Sequence, residues 1–401
     1  MVAAPGRFIV VDEVLERARG LVDRYEAETR ALVPEGAKLL DAHVHVGRDI
    51  DGMIAPFEEL TDFLRRWRVE RAFTFCLDEP DRRPAFRAAN DRTLAAAERS
   101  EGLLVPFVRL DLAEQAIEEA TRCLDLGARG IKLHPRAQGF LLNDQRLEPV
   151  FALAAERSVP ILIHGGRGLP PIADHLRRLH DAYPEASLII AHAGIADLAA
   201  LSECFAGRSR VYFDTSVWSA IDLLDMFGRV APGQVLYASD YPYGQQPGSL
   251  LLALRTAMSA GLSEEEVRDM LGRSAARIAD DEEPATLTEP RGPRRFDQPL
   301  TFARIHHYLA MATPLLWTRQ ADTIGVLGLA LNTCAERDGY SDERDRIAEL
   351  VSTARDLWRT LPEAGGEAEV RTVSRATFRL IHLAEILTLT VDAGRAPAPA
   401  G

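Results

Sequence analysis

Two histidines separated by one residue at the end of an apolar run can chelate a metal, and residues 41–45 read D-A-H-V-H. Side chains two apart on a strand share a face, so His43 and His45 point the same way and one ion can accept both. Other apolar runs finish in a similar manner: G-I-K-L-H-P at 130–135, I-H-G-G at 163–166, A-H-A-G at 191–194 and A-S-D at 238–240. Five imidazoles, an amine and a carboxylate therefore sit at the ends of such runs. Neutral imidazole and carboxylate are the usual N/O ligands of zinc, and a catalytic site needs about three or four protein ligands with one position left for water. His43, His45, His164 and Asp240 supply that set. The alternative, histidines placed at strand ends for packing alone, is disfavoured because buried imidazoles require partners and seldom cluster without a metal.

These residues need a scaffold that brings strand ends together. Eight short apolar runs begin near Lys38, Arg71, Leu103, Arg129, Pro160, Ser187, Arg210 and Val235, with starts 23 to 33 residues apart. The intervals carry helical periodicity, for example Phe57, Leu60, Phe63, Leu64 and Trp67, as expected of consecutive βαβ units. Eight units in about 245 residues match a (β/α)8 TIM barrel, whose catalytic groups collect at the C-terminal strand ends. The sequence thus reads as an α/β TIM barrel with a C-terminal all-helical appendage. The boundaries expected are an N-terminal helical segment over 1–36, the barrel over 37–280, a proline-rich acidic linker over 281–299, the appendage over 300–392 and a disordered tail over 393–401. In the appendage, Ile347, Leu350, Val351, Ala354, Leu357, Trp358 and Leu361 form one helical stripe.

Composition narrows the partners. The chain has 401 residues, and 47 Lys plus Arg against 60 Asp plus Glu give a formal charge of −13, which repels nucleic acid and anionic membranes. A small-molecule substrate, anionic where local arginines reverse the field, remains compatible. Cys76, Cys123, Cys204 and Cys334 form no C-x-x-C pair, and with no signal peptide or apolar membrane-spanning stretch visible, the expectation is a cytoplasmic protein.

In combination, D-A-H-V-H at 41–45, G-I-K-L-H-P at 130–135, I-H-G-G at 163–166, A-H-A-G at 191–194 and S-D-Y-P at 239–242 resemble the amidohydrolase superfamily over about residues 37–280, in particular the amidohydrolase-related (amidohydrolase 2) branch that includes aminocarboxymuconate-semialdehyde decarboxylase-like proteins, resorcylate decarboxylases and lactonases. The resemblance implies that His43, His45, His164 and Asp240 hold a divalent ion, most simply Zn2+, that His192 polarises substrate or shuttles a proton, and that Asp240 is the general base. It implies either metal-dependent hydrolysis of a C–N or C–O bond or nonoxidative decarboxylation of a small aromatic or unsaturated acid. Some superfamily members carry a carboxylated lysine at the end of the fourth strand. Lys132 at that place would make a two-ion centre, although one ion is the favoured reading. His134, Lys132, Arg167, Arg109 and Arg48 are the candidate substrate-binding residues, the guanidinium fork being suited to carboxylates. A noncatalytic barrel scaffold is the third reading. The appendage either caps the mouth or pairs with a second subunit as a homodimer. His175, His180, His306, His307 and His382 read as structural.

Overall fold

The apolar runs become eight parallel strands in the computed structural model, which describes residues 5–292, 298–320, 322–336, 340–361 and 366–391. They are β1 (Leu39–Arg48), β2 (Val69–Cys76), β3 (Leu104–Arg109), β4 (Gly130–Leu133), β5 (Ile161–Ile163), β6 (Leu188–Ile190), β7 (Val211–Asp214) and β8 (Val235–Leu236). Each pairs with the next in sequence order, and a short strand, Ile54–Ala55, adds antiparallel to the end of β1. β4 to β7 are buried throughout, as parallel strands covered on both faces must be. The segment after β8 returns to β1: Ala42 donates to Tyr237 O at 2.9 Å, Asp240 to His43 O at 3.0 Å and His45 to Tyr241 O at 2.8 Å. These bonds join the first strand to the last, so the sheet is a (β/α)8 barrel and its strand ends share one mouth.

Below the mouth, Leu40, Phe73, Phe75, Phe107, Ile189 and Leu236 belong to one buried cluster, in which the rings of Phe73 and Phe107 stack at 4.8 Å. The helix that follows, residues 264–279, contains a π turn at Asp269–Arg273, and the Met270 carbonyl accepts from Tyr237 N at 2.8 Å. Its Gly272 must lack a side chain, because a Cβ there would lie 2.3 Å from Lys38 O. A capping box between Ser263 and Glu266 starts this helix.

The chain divides into two compact units: 34–245 with 260–294, which is the barrel, and 1–33 with 246–259 and 295–401, which is helical. The helical unit contains Pro5–Leu32, Gly248–Ala260, Leu300–Trp317, Thr323–Cys334, Ser341–Thr360 and Glu367–Leu389. The stripe read from the sequence is buried from Ile347 to Trp358. Arg255, on the helix after β8, donates to Thr390 Oγ1 at 2.8 Å and to Thr390 O at 2.7 Å, and pairs with Glu28 at 3.1 Å. These contacts tie the three sequence segments of this unit together. Residues 293–297 of the expected linker and the expected tail at 393–401 lie outside the described residues. Among the described residues the four cysteines are free, and no helix is long and apolar enough to cross a membrane.

Candidate metal centre at the barrel mouth

β1 carries one more residue than β2 between the pairs Asp41↔Ala72 and Val44↔Thr74, a bulge in the middle of D-A-H-V-H. A bulge twists a strand and re-aims its side chains, and here the His43 and His45 rings approach to 5.2 Å between centroids. Across the barrel seam, Asp240 adopts a left-handed backbone with φ +59°. Its Oδ1 lies 3.4 Å from His43 Nε2 and 3.2 Å from His45 Nε2. Three potential donor atoms, one from each residue, lie within 4.8 Å of one another. His192 and Ala193 are also left-handed, at +57° and +55°. Non-glycine residues in this region store local strain, which concentrates at functional sites.

A second layer fixes the ring orientations. Asp214, fully buried at the end of β7, accepts from His43 Nδ1 through Oδ2 at 2.9 Å, so the His43 Nε2 lone pair faces Asp240. The other Asp214 oxygen accepts from the Ser216 hydroxyl and from His192 N at 2.8 Å. His192 Nδ1 donates to Ser216 O at 2.6 Å, which leaves its Nε2 as the free acceptor. A carboxylate behind a ligating imidazole is the usual means of setting its tautomer and raising its basicity. Asp41 accepts from His43 N at 3.2 Å and Ser239 N at 2.9 Å, and burial raises its carboxyl to about 7. The sequence reading passed over Asp214 and Ser216. The same strand-end rule finds them in V-Y-F-D-T-S at 211–216.

His164 and His134 stack at 4.0 Å, and His164 meets His192 edge-on at 4.6 Å. Neither His164 ring nitrogen makes a hydrogen bond, although the residue is only 8% exposed. A Cβ on Gly166 would lie 3.0 Å from both rings, at His164 Cε1 and His192 Cδ2, so only glycine lets them approach. His134 instead accepts from Ala137 N at 3.3 Å and caps the turn that follows β4. Burial, then neighbouring charges, drives His43 and His134 well below the ordinary imidazole range and His164 to about 2. Burial also lowers His45, against the hydrogen bond to Asp240.

Lys132 is buried with Nζ 3.5 Å from His43 Nε2 and 4.5 Å from the Phe75 ring centroid, and burial lowers its amine to about 7. Arg109, also buried, donates to Cys76 O at 3.3 Å. Arg48 and Arg167 are exposed. Tyr243, half-buried, stands 5.7 Å from the His45 ring and donates to Asp49 Oδ2 at 3.0 Å. Eight of the ten residues singled out from sequence are thus buried or half-buried at the strand ends, and the two exposed ones are these arginines.

Neutral imidazoles have lone pairs to give, and two nitrogens with one carboxylate oxygen converge beside a third imidazole whose nitrogens are unpartnered. This donor set fits a divalent ion. A family model described as amidohydrolase matches residues 40–278, more than half of the chain. The chain belongs to the amidohydrolase family. No curated protein matches this amidohydrolase-family chain at a significant level. Solved structures similar to it include IDCase of Metarhizium anisopliae, 16% identical with a TM-score of 0.46, covering 62% of this chain and 99% of that one. The 5-carboxyvanillate decarboxylase of Sphingomonas paucimobilis is 16% identical with a TM-score of 0.46, covering 61% and 99%. The 4-oxalomesaconate hydratase of Rhodopseudomonas palustris is 14% identical with a TM-score of 0.45, covering 60% and 95%.

Proposed function

We propose that the chain is a metal-dependent hydrolase of a C–N or C–O bond in a small organic substrate, with one divalent ion, zinc in the first place, held by His43, His45, His164 and Asp240. The observation that carries this reading is that donor atoms of His43, His45 and Asp240 lie within 4.8 Å of one another, a group to which His164 does not belong and which it would complete. When bound there, the ion supplies Lewis acidity and a water whose pKa falls towards about 7.

The remaining work belongs to the chain. Asp214 holds the proton of His43 at Nδ1, which keeps Nε2 available as a ligand. Asp240 takes a proton from the attacking water and passes it to the leaving group. His192, with Nδ1–H anchored on Ser216 O, presents Nε2 to polarise the substrate or carry a proton. Phe75 packs edge-on against both β1 imidazoles, at 5.0 and 4.7 Å, and excludes water from that side.

A second reading, nonoxidative decarboxylation of an aromatic or unsaturated acid, uses the same ligands. It is favoured by the buried cations Arg109 and Lys132, which suit a substrate carboxylate. Elemental mass spectrometry on protein purified without chelators tests the common core: about one ion per chain is expected, and none in His43→Ala. Protein that neither holds nor requires a divalent ion would refute it. Headspace carbon dioxide in substrate screens separates the two reactions.

A further inference from the structure

The two imidazoles of β1 are held in different ways. His43 has the Asp214 carboxylate behind its Nδ1 at 2.9 Å. His45 Nδ1 is buried, and among the described residues no group hydrogen-bonds to it, so no bond behind the ring sets its orientation. What meets the His45 ring instead is two aromatic rings that stand nearly perpendicular to it, Phe75 at 4.7 Å and 80° and Tyr243 at 5.7 Å and 85°. Phe75 is fully buried on β2, where packing fixes it. Tyr243 is half-buried in the loop after β8, so its ring needs an anchor of its own.

Asp49 supplies that anchor. Its Oδ2 accepts from the Tyr243 hydroxyl at 3.0 Å and from Asp78 N at 3.3 Å, and its Oδ1 accepts from Asp51 N at 3.0 Å. The residue is buried in the turn that follows β1, which closes through Asp49 N to Met53 O at 2.8 Å. One carboxylate therefore joins the loops after β1, β2 and β8. Tyr243 also belongs to the turn that carries Asp240, where Gly244 N donates to Asp240 O at 2.9 Å. The left-handed backbone of Asp240 persists only where its surroundings over-determine it, and the bond from Tyr243 to Asp49 ties the far side of that turn to β1.

We propose that Tyr243, anchored on Asp49, is a positioning residue of the metal centre: its ring sets the His45 imidazole, and its hydroxyl bond fixes the turn that carries Asp240, so that one side chain aligns two ligands. The proposal rests on the metal-centre reading, and its test separates the two.

Chelator-treated full-length protein is titrated with Co2+, whose visible absorption reports ligand geometry, and histidine-ring NMR of the metal-free chain follows His45, assigned through His45→Gln. Tyr243→Leu, which loses ring and anchor together, is expected to weaken Co2+ binding by about tenfold and to alter the absorption. Tyr243→Phe, which keeps the ring, and Asp49→Asn are each expected to weaken it by about threefold. Because these two act through one bond, the double variant should bind no more weakly than the worse of its singles. In the metal-free chain both should move the His45 resonance and leave that of His180 in place. Should Tyr243→Leu fail to fold by circular dichroism, Tyr243→Phe and Asp49→Asn carry the test. Unchanged Co2+ affinity in Tyr243→Leu, losses that add in the double variant, or a His45 resonance that stays in place in Tyr243→Phe would overturn the positioning role. A wild-type chain that binds no Co2+ would refute the metal centre, and a His45 resonance moved by Tyr243→Phe would then leave the positioning role standing.

Discussion

Of the chain's ten histidines, five gather at the barrel mouth, and burial does not distinguish these from His180 and His306 elsewhere. At the barrel mouth, His43, His45, His134, His164 and His192 form a chain of ring contacts between 4.0 and 5.2 Å. Elsewhere, His180 takes a hydrogen bond from Arg208 and packs edge-on against Phe205, while His306 Nδ1 donates to the Thr388 hydroxyl oxygen, whose own proton goes to Glu385 O. Burial depresses the basicity of His180 and His306 too. A lowered pKa therefore marks burial alone. What marks the mouth is the gathering of imidazoles around a carboxylate.

The sharpest way to break this contrast is to delete one histidine from each group. His43→Ala is expected to abolish metal retention, and Asp240→Asn to lower kcat/KM by about 10²–10⁴, whereas His306→Ala leaves both unchanged, as elemental analysis and steady-state kinetics would report. His192→Gln should keep the ion yet lower kcat by roughly a hundredfold. If it loses the ion instead, the division of roles at the mouth is wrong. Asp214→Asn, which touches the centre only through His43, is expected to weaken metal affinity by about 10–100-fold in a competition assay with a chromophoric chelator.

The smaller effects concern stability. The buried histidines have folded pKa values below their unfolded value of about 6.5, so the stability they confer is present above that pH and lost as pH falls towards their folded values. Chelator-treated protein should lose about 2 kcal/mol for each histidine that stays neutral between about pH 7 and pH 5 in urea melts, and a flat profile would argue that the mouth is hydrated. Glu385, half-buried beside Thr313 in the helical unit, has the opposite sign. Burial raises it to about 7, so its contribution is lost as pH rises through that value. Glu385→Gln should therefore stabilise the protein by about 1 kcal/mol near pH 8 and by less near pH 5.

Much of the barrel was legible because parallel strands buried on both faces leave continuous apolar runs, and every expected start lies within two residues of the observed one. The polar endings gave the mouth histidines and Asp240. Asp214 escaped notice although V-Y-F-D-T-S ends its strand in a carboxylate just as A-S-D does at Asp240. The bulge in β1 was invisible because it is a matter of pairing with β2, and periodicity does not report register. Exposure of Arg48 and Arg167 was equally hidden, since a long cationic side chain tolerates either environment. The grouping of Gly248–Ala260 with distant helices depends on contacts such as Arg255 with Thr390, which no local pattern encodes.

That grouping has a consequence during synthesis. Helix Pro5–Leu32 is bound by Arg17 to Asp356 and by Arg24 to Glu349, residues 339 and 325 positions further along. At about 5–20 residues per second, a ribosome needs roughly 15 to 70 s to make up that gap, during which the first helix exists without its partners. Nearly the whole barrel is translated in the interval. This helix is thus made long before it reaches its final contacts, and Val11, Leu15, Ala18 and Leu21, buried in the finished protein, stay open to chaperones until then.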